Sequence, residues 1–228
     1  MKIKGLQKLT LLDYPGRLAA TVFLGGCNLR CPFCHNASLV VRGDDNEISE
    51  DELFSFLESR RGKLSGVCIT GGEPTLNPTL PSFINKIRAL GYSVKLDTNG
   101  TNPDMLESLV RDGLVDYVAM DIKSSPERYA AVSGVPGLDV SPVERSVRFL
   151  LRGEVEYEFR TTVVRELHTA EDFDAIGRWI RGARAYFLQP FKDSGDIIED
   201  GFSSYSKAEI EAILERVRAY IPNAQIRG

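Results

Sequence analysis

Histidine, tryptophan and cysteine are scarce in this chain: its 228 residues include two histidines, one tryptophan and four cysteines. The chain has no excess of positive charge, because its 28 lysines and arginines are outnumbered by 32 aspartates and glutamates. This balance gives no basic surface of the kind that binds nucleic acid. No apolar run is long enough to span a membrane, and the first residues lack the apolar region of a signal peptide. We therefore expect one cytoplasmic domain covering residues 1–228.

The few cysteines are concentrated at one place. Cys27, Cys31 and Cys34 lie within eight residues, in the spacing C-x₃-C-x₂-C, directly after an apolar run. Thiolates are soft ligands that suit zinc or iron–sulfur clusters, and a cubane cluster normally takes four cysteines. Three ligands would leave one iron open, and an open metal position can bind and activate a substrate. The spacing therefore favours a catalytic iron–sulfur site.

Two other interpretations of the cysteines stay open. Zinc would need a fourth ligand such as His35, but the adjacent side chains of Cys34 and His35 diverge, and the paired spacing of a zinc finger is absent. Disulfides fit poorly because there is no secretory signal and only Cys68 lies outside the motif. Cys68 falls inside a predicted strand, which indicates a small buried residue rather than a fourth ligand. A zinc-stabilised interaction module without catalysis remains the distant alternative.

Strand and helix patterns alternate along the chain. A first short strand and a turn at Pro15-Gly16 precede six apolar strands, predicted at residues 18–24, 67–70, 94–97, 117–121, 157–164 and 186–188. A helix-start signal follows each of the six, at Ser49, Asn77, Asn102, Ser141, Thr169 and Ser206. This alternation predicts an α/β fold with a parallel sheet and right-handed crossovers. Since a closed barrel has eight units, six predict a partial (β/α)₆ TIM-like barrel, open along one side.

Polar residues follow the predicted strands at the ends where such barrels place their active sites. In chain order they are Gly71, Gly72 and Glu73; Asp97 and Thr98; Asp121 and Lys123; Arg165 and His168; and Gln189 and Lys192. The cysteine motif lies at the same rim. This convergence predicts a single active site.

The cysteine motif carries a family resemblance. C-x₃-C-x₂-C with an aromatic residue, Phe33, before the last cysteine resembles the signature of the radical S-adenosylmethionine (SAM) superfamily. The following His35-Asn36 resembles the activating enzymes of glycyl radical enzymes. The resemblance covers essentially the whole chain and implies the same open (β/α)₆ barrel. It implies a [4Fe-4S] cluster held by Cys27, Cys31 and Cys34, with SAM chelating the open iron. One-electron cleavage of SAM would then give a 5′-deoxyadenosyl radical that abstracts a hydrogen atom.

The same resemblance implies the residues that contact SAM. Gly71-Gly72-Glu73-Pro74 resembles the glycine-rich motif that binds the amino group of SAM, and Phe33 is implied as a further cofactor contact. Asp97, Thr98, Asp121 and Lys123 would form a polar cradle for the methionine end and the ribose. In the pyruvate formate-lyase activating enzyme, matching positions bind a monovalent cation, which implies Asp97, Thr98, Asp121 and the Gln189 carbonyl as its ligands here.

Two positions depart from that pattern or leave it open. Lys192 stands where that enzyme has a histidine, so the ribose contact at this point is in doubt, although lysine can still donate a hydrogen bond. Arg160 lies within the fifth predicted strand, where it could reach the pocket or serve as a structural ion-pair partner.

The segment from Gly5 to Gly16, together with Cys27 to Asn36, resembles the activating proteins of the anaerobic (class III) ribonucleoside-triphosphate reductase. This implies a radical SAM oxidoreductase that installs a glycyl radical on that reductase, through a loop entering from the open side of the barrel. A low-potential electron donor such as flavodoxin or ferredoxin is implied as a second partner. The alternatives are pyruvate formate-lyase or another glycyl radical enzyme as the target, or a small-molecule substrate.

Overall fold

One curved sheet of eight strands organises the computed structural model, which describes residues 1–40 and 47–228. The strands follow one another in chain order across the sheet. Their bounds are β1 (Ile3–Thr10), β2 (Ala19–Leu24), β3 (Gly66–Gly71), β4 (Ser93–Thr98), β5 (Tyr117–Asp121), β6 (Glu156–Val163), β7 (Tyr186–Pro190) and β8 (Gln225–Ile226). Strands β2 to β8 pair in parallel, and β1 pairs antiparallel to β2. The six predicted strands correspond to β2–β7.

Helices connect the parallel strands. Their bounds are α1 (Ala37–Val40), α2 (Glu50–Ser59), α3 (Leu80–Ala89), α4 (Pro103–Arg111), α5 (Tyr129–Val132), α6 (Ser141–Leu151), α7 (Ala170–Trp179) and α8 (Lys207–Arg218), with a 3₁₀ helix at Pro74–Leu76. The helix starts predicted at Ser49, Thr169 and Ser206 are confirmed, because each of these side chains accepts a hydrogen bond from the N–H three residues later, and Thr169 and Ser206 form complete capping boxes. In the described part of the chain, no helix combines the length and apolarity needed to cross a membrane.

The main core lies between the sheet and these helices. Helix α3 shows the principle, because the residues predicted for its apolar face, Leu80, Phe83, Ile84 and Ile87, are all buried against the strands. Cys68 of β3 is also fully buried, as predicted.

Contacts between distant loops show how strongly the sheet curves. The Glu199 N–H donates to the Pro32 carbonyl at 2.9 Å, and the Ser38 hydroxyl donates to Asp196 Oδ2 at 2.7 Å. These bonds join the loops that follow β2 and β7, which are five positions apart in the sheet. In a flat sheet those strands would be about 24 Å apart. The sheet therefore bends into the predicted partial barrel, and in the described residues its edge strands β1 and β8 do not pair with each other.

The structure corrects some element boundaries. Helix α3 begins at Leu80 after Thr79, so the prediction of a helix capped by Asn77 is wrong. Asn77 instead ends the 3₁₀ helix, because its N–H donates to the Pro74 carbonyl. The four-residue helices α1 and α5 and the two-residue strand β8 were not predicted. They are too short to show a periodic pattern in the sequence.

Candidate active site

A cavity of about 230 Å³ opens at the carboxyl ends of the parallel strands. Most of the predicted site residues line it: Cys27, Cys31, Phe33, Cys34, Gly71, Gly72, Asp97, Thr98, Asp121, Lys123 and Gln189. Glu73 and Lys192 are not among the lining residues. Each wall comes from the end of a different strand, which explains how residues spread over more than 160 positions of sequence meet.

The loop after β2 brings the three cysteines to one wall. All three are free thiols. The Cys27 sulfur accepts hydrogen bonds from the Leu29 N–H at 3.4 Å and from Asn99 Nδ2 at 3.8 Å. Burial raises the pKa of the Cys31 thiol to about 11 and also raises that of Cys27. The free thiols of Cys27 and Cys31 are therefore neutral, and iron binding would displace their protons.

A second apolar cluster surrounds the cysteine loop on its outer side. Its members come from several loops and include Leu29, Phe33, Val132, Val164, Phe191 and Ile197. The His35 ring stacks on Phe191 with the ring centres 5.3 Å apart. Burial lowers the pKa of His35, and the positive charge of Lys123 adds to this. Cys31 belongs to this cluster, and Cys27 and Cys34 pack against it while staying partly exposed.

Glycine is required where β3 ends because the cysteine loop crosses the backbone there. The Glu73 N–H donates to the Gly26 carbonyl at 2.8 Å. A Cβ added at Gly72 would lie 1.9 Å from that same carbonyl oxygen. At Gly71, where φ is +117°, an added Cβ would lie 2.2 Å from the Leu24 carbonyl oxygen. Both glycines thus allow the cysteine loop and β3 to approach to hydrogen-bonding distance.

The carboxylate of Glu73 lies beneath the cavity wall and is buried. Its Oε1 accepts from the Thr75 N–H and hydroxyl and from the Thr98 hydroxyl, at 3.1, 2.5 and 2.7 Å. Its Oε2 accepts from the Asn99 N–H at 2.5 Å. Burial raises the pKa of Glu73, although these hydrogen bonds oppose the shift. The side chain therefore fixes the turn after β4 to the turn after β3.

Charged side chains form a network at the floor of the cavity. The Arg160 guanidinium lies between two carboxylates, with Nη1 3.1 Å from Asp97 Oδ2 and Nε 3.0 Å from Asp121 Oδ1. Lys95 donates to Asp97 Oδ1, and Lys123 donates to Asp121 Oδ2 at 3.0 Å. Burial alone would raise the pKa of both aspartates, but the neighbouring cations outweigh it and hold both pKa values below the ordinary range. Both carboxylates are therefore ionised.

The expected monovalent-cation site overlaps this network. Asp97 and Asp121, two of its implied ligands, already bind side-chain cations through both of their oxygens. The sequence left the role of Arg160 open between pocket and ion pair; it both lines the cavity and pairs with the two aspartates.

Lys192 and Arg165 lie away from the cavity. Lys192 is exposed on the segment that follows β7. Arg165 pairs at the surface with Glu209, the third residue of α8. The sequence pattern placed both at the correct end of the sheet, but neither side chain lines the cavity.

Asn99 is a lining residue that sequence reasoning missed. Besides its contact with Cys27, its Nδ2 donates to Asn28 Oδ1 at 3.0 Å. Its position directly after Asp97-Thr98 was the available signal, but a neutral amide in a turn carries no chemical signature of its own. The uncharged residues Thr162, Asn36 and Val40 line the cavity as well.

His168 lies just before α7, as predicted, and fixes the segment after β5. Its Nε2 is 2.8 Å from the Lys123 carbonyl oxygen, and the Val164 N–H donates to its Nδ1 at 3.1 Å. These partners define the tautomer that carries its proton on Nε2. The ring also meets Phe33 edge-on at 6.4 Å between centres. His168 thus ties the Lys123 backbone to the cysteine loop.

Burial lowers the pKa of His168, which makes stability depend on pH. Below the ordinary histidine pKa the unfolded chain binds a proton that the folded chain does not, so stability is lost as the pH falls. We expect His168→Gln to reduce the slope of unfolding free energy against pH, measured by urea denaturation of the metal-free protein between pH 7.5 and 5. The reduction is at most about 1.4 kcal/mol per pH unit. An unchanged slope would contradict the assignment of a neutral buried imidazole, and His35→Gln measures the part due to the other histidine.

Within residues 1–40 and 47–228, no three or more cysteine, histidine or acidic side chains converge as ligands of a single metal ion. Cys27, Cys31 and Cys34 all line the cavity.

Comparisons with known proteins agree with this site. Residues 21–180 match the sequence model of the Radical SAM superfamily. A relative from Methanocaldococcus jannaschii, provisionally named a glycyl-radical enzyme activating enzyme, is 30% identical over 99% of this chain and 95% of its own length. The 7-carboxy-7-deazaguanine synthase of Methanopyrus kandleri is 29% identical over 82% of this chain and 79% of its own length.

A solved structure supports the fold. A domain of the pyruvate-formate lyase-activating enzyme from Bacteroides vulgatus superposes with a TM-score of 0.59 at 17% identity, covering 72% of this chain and 99% of that domain. The chain belongs to the radical SAM superfamily and, within it, to the family of glycyl-radical enzyme activating enzymes. This family implies a [4Fe-4S] cluster and SAM as cofactors.

Proposed function

We propose that this protein generates a glycyl radical on the anaerobic ribonucleoside-triphosphate reductase. The observation that carries the proposal is the full-length similarity to a relative named for glycyl-radical enzyme activation. The choice of the reductase as the target rests on the amino-acid sequence of the segment from Gly5 to Gly16, which resembles that of reductase activators. The site contributes the chemistry, since three free cysteines share one cavity with a polar floor.

The residues present fit the two cofactors. Cys27, Cys31 and Cys34 would each hold one iron, and the glycine pair at the end of β3 lets the loop that carries them pack closely against that strand. When bound and reduced by a low-potential donor such as flavodoxin or ferredoxin, the cluster and SAM supply an organic radical that removes a hydrogen atom. The chain itself holds the ligands in place and excludes water through the apolar cluster around Phe33.

The remaining predicted contacts are proposals for SAM recognition. Asp97, Thr98, Asp121 and Lys123 would surround its polar groups at the cavity floor. A contact between Glu73 Oε2 and the amino group would require the buried carboxylate, which accepts a hydrogen bond from the Asn99 N–H, to open toward the cavity. A ribose contact from Lys192 would require its side chain to turn toward the cavity from its exposed position.

Electron paramagnetic resonance tests the target directly. The reduced, reconstituted protein is incubated without oxygen with SAM and, in parallel, with anaerobic ribonucleotide reductase or pyruvate formate-lyase. We expect a glycyl radical signal on the reductase that depends on both SAM and the activating protein. A reductase whose radical-site glycine is replaced by alanine is the matched control and should stay silent. A radical on pyruvate formate-lyase alone would reassign the target.

A small-molecule substrate is the second candidate, because a relative that matches 82% of this chain is a 7-carboxy-7-deazaguanine synthase. This candidate would be favoured if the protein cleaves SAM, neither glycyl radical enzyme accelerates the cleavage, and no glycyl radical forms on either of them.

A further inference from the structure

Exposed leucines are concentrated in one short stretch of the chain. Leu9, Leu11, Leu12 and Leu18 are 56, 69, 85 and 44% exposed, and we call these four side chains the leucine surface. The other exposed leucine in the described residues, Leu76, lies elsewhere, in the 3₁₀ helix after β3. Single exposed apolar residues are ordinary, whereas a group of them with a polar rim marks an interaction site.

The pairing of β1 with β2 brings the four leucines together. Thr10 pairs with Ala19, so Leu18 lies beside the residues that flank Thr10. This is the amino end of β2, opposite the carboxyl ends of the strands that carry the cavity. Because β2 has six residues, the leucine surface lies about 20 Å from the start of the cysteine loop.

The segment that carries the leucines is fixed to the barrel. Tyr14 is buried and packs on Tyr117 of β5, with the ring centres 6.1 Å apart. The Thr10 hydroxyl oxygen accepts the N–H groups of Leu12 and Asp13, each at 3.2 Å. The leucines are therefore held outward by an ordered segment, and a partner that covers them pays little to order it.

The turn that follows α2 borders the leucine surface. The Ser65 N–H donates to the Leu18 carbonyl at 2.8 Å, which joins this turn to the residue before β2. On α2, two cations lie over the Phe56 ring: Lys8 Nζ is 5.9 Å and Arg60 Cζ is 5.5 Å from its centre. Residues 58–65 therefore lie against residues 7–18.

A basic rim surrounds the leucine surface. Residues 7–18 and 58–65 together carry five exposed cationic side chains: Lys8, Arg17, Arg60, Arg61 and Lys63. The same two segments carry two carboxylates, Asp13 and Glu58, which leaves three positive charges. The whole chain has a net charge of −4, so this end of the barrel is opposite in sign to the rest. Its complement is an acidic surface.

This charge decides between the possible occupants. In a symmetric dimer the same patch faces itself, so the two basic rims would repel each other. An acidic electron donor would have to approach the cysteine loop, which lies at the other end of β2. The remaining partner is the glycyl radical enzyme, which must approach the open side of the barrel, and that side is bordered by the edge strand β1.

We propose that the leucine surface and its basic rim dock onto an acidic surface of the glycyl radical enzyme that this protein activates. A standard interface covers about 800 Å² per partner and extends roughly 30 Å, enough to reach from the leucine surface to the cavity. Docking makes the entry of the glycine loop an intramolecular step, which raises its effective concentration. The inference rests on the proposed activation of a glycyl radical enzyme, but it holds for either candidate enzyme.

The double substitution Leu11→Ser and Leu12→Ser tests the apolar contact. Titration calorimetry measures the binding of the reconstituted protein to anaerobic ribonucleotide reductase and, in parallel, to pyruvate formate-lyase. For the enzyme that the wild type activates, we expect the dissociation constant to rise about 10- to 100-fold in the double variant. Leu76→Ser removes an exposed leucine outside the surface and should bind as the wild type does. Equal affinities of the double variant and the wild type would overturn the proposal.

The rate of radical formation separates docking from chemistry. Electron paramagnetic resonance follows the glycyl radical at increasing concentrations of the glycyl radical enzyme. In the double variant the concentration for half-maximal rate should rise about 10-fold or more, by the same loss of affinity, while the maximal rate stays unchanged. Iron content and the cleavage of SAM without a partner should also stay unchanged. A lower maximal rate or a loss of iron would show that the leucines act on the cavity, which contradicts a docking role.

The double substitution Arg60→Glu and Lys63→Glu tests the basic rim. At low salt we expect binding to weaken at least about tenfold, and in about 0.5 M salt the difference from the wild type should nearly vanish. The matched control reverses two exposed arginines at the end of α7, Arg178→Glu and Arg181→Glu. An equal loss in this control, or no loss in the rim variant, would contradict an acidic partner at the leucine surface.

Sedimentation and vesicle flotation test the other occupants. A wild-type dimer that the leucine variant cannot form would assign the surface to a second copy of the chain. Flotation of the wild type, but not of the variant, with phosphatidylglycerol vesicles would assign it to a membrane. We expect neither result, and either one, with unchanged affinity for the glycyl radical enzyme, overturns the proposal. Failure of the wild type to form a radical on either enzyme would refute the proposed function itself, whereas radical formation that is indifferent to the leucines refutes only the docking.

Discussion

Gly72→Ala is expected to remove most of the iron that the protein can bind. The added Cβ would lie 1.9 Å from the Gly26 carbonyl oxygen, a backbone atom that cannot rotate away. The loop that carries Cys27 would have to move, and the hydrogen bond from the Glu73 N–H to Gly26 would break. We expect a several-fold loss of iron and acid-labile sulfide per chain after anaerobic reconstitution. Overpacking of this kind also costs about 1–3 kcal/mol of unfolding free energy.

A matched variant separates this clash from the general effect of losing a glycine. Gly91→Ala changes a glycine with φ of +89° whose added Cβ meets no atom within 4 Å. It should lose some stability through backbone strain and yet keep its full iron content. Equal iron content in the Gly72 and Gly91 variants would show that the close approach of the two loops is not needed for cluster binding.

The second large effect is expected from the cysteines themselves. Alanine at Cys27, Cys31 or Cys34 should abolish the cluster, because each thiolate would hold a different iron. Cys68→Ala should retain about four irons and the brown absorbance. Its thiol lies in β3 beneath the cavity floor, 3.7 Å from Asp97 Oδ1 and 3.8 Å from Lys95 Nζ, and is not among the lining residues.

Iron and sulfide analysis of the four variants, with circular dichroism to confirm folding, is the measurement. A folded Cys68→Ala variant without iron would overturn the assignment of three ligands. One zinc and no iron in the wild type would instead restore the zinc alternative.

The sequence was sufficient for the sheet and for most of the cavity because both depend on local, repeated signals. Strands such as β5 are short apolar runs that end at a charged residue, here Asp121, and the carboxyl ends of parallel strands meet at one rim. Capping boxes at Thr169 and Ser206 likewise mark helix starts without any tertiary information. The side chains that follow such elements could therefore be assigned to one site.

What the sequence could not provide was the direction of individual side chains. Lys192 and Arg165 follow the correct strands but do not line the cavity, whereas Arg160, inside a strand, does. Glu73 belongs to a recognisable motif, yet its carboxylate is used to join two turns. Whether a charged side chain contacts a ligand or another residue of the same chain depends on its neighbours in three dimensions, which no local sequence pattern encodes.

The transfer of a hydrogen atom from a protein glycine is the central claim, and isotope transfer tests it most directly. The reductase is prepared with glycine deuterated at its α-carbon and incubated without oxygen with reduced protein and SAM for a single turnover. Mass spectrometry of the 5′-deoxyadenosine formed should then show one deuterium for each glycyl radical produced. Cleavage of SAM that yields only unlabelled 5′-deoxyadenosine, with the labelled reductase present and competent, would contradict the account.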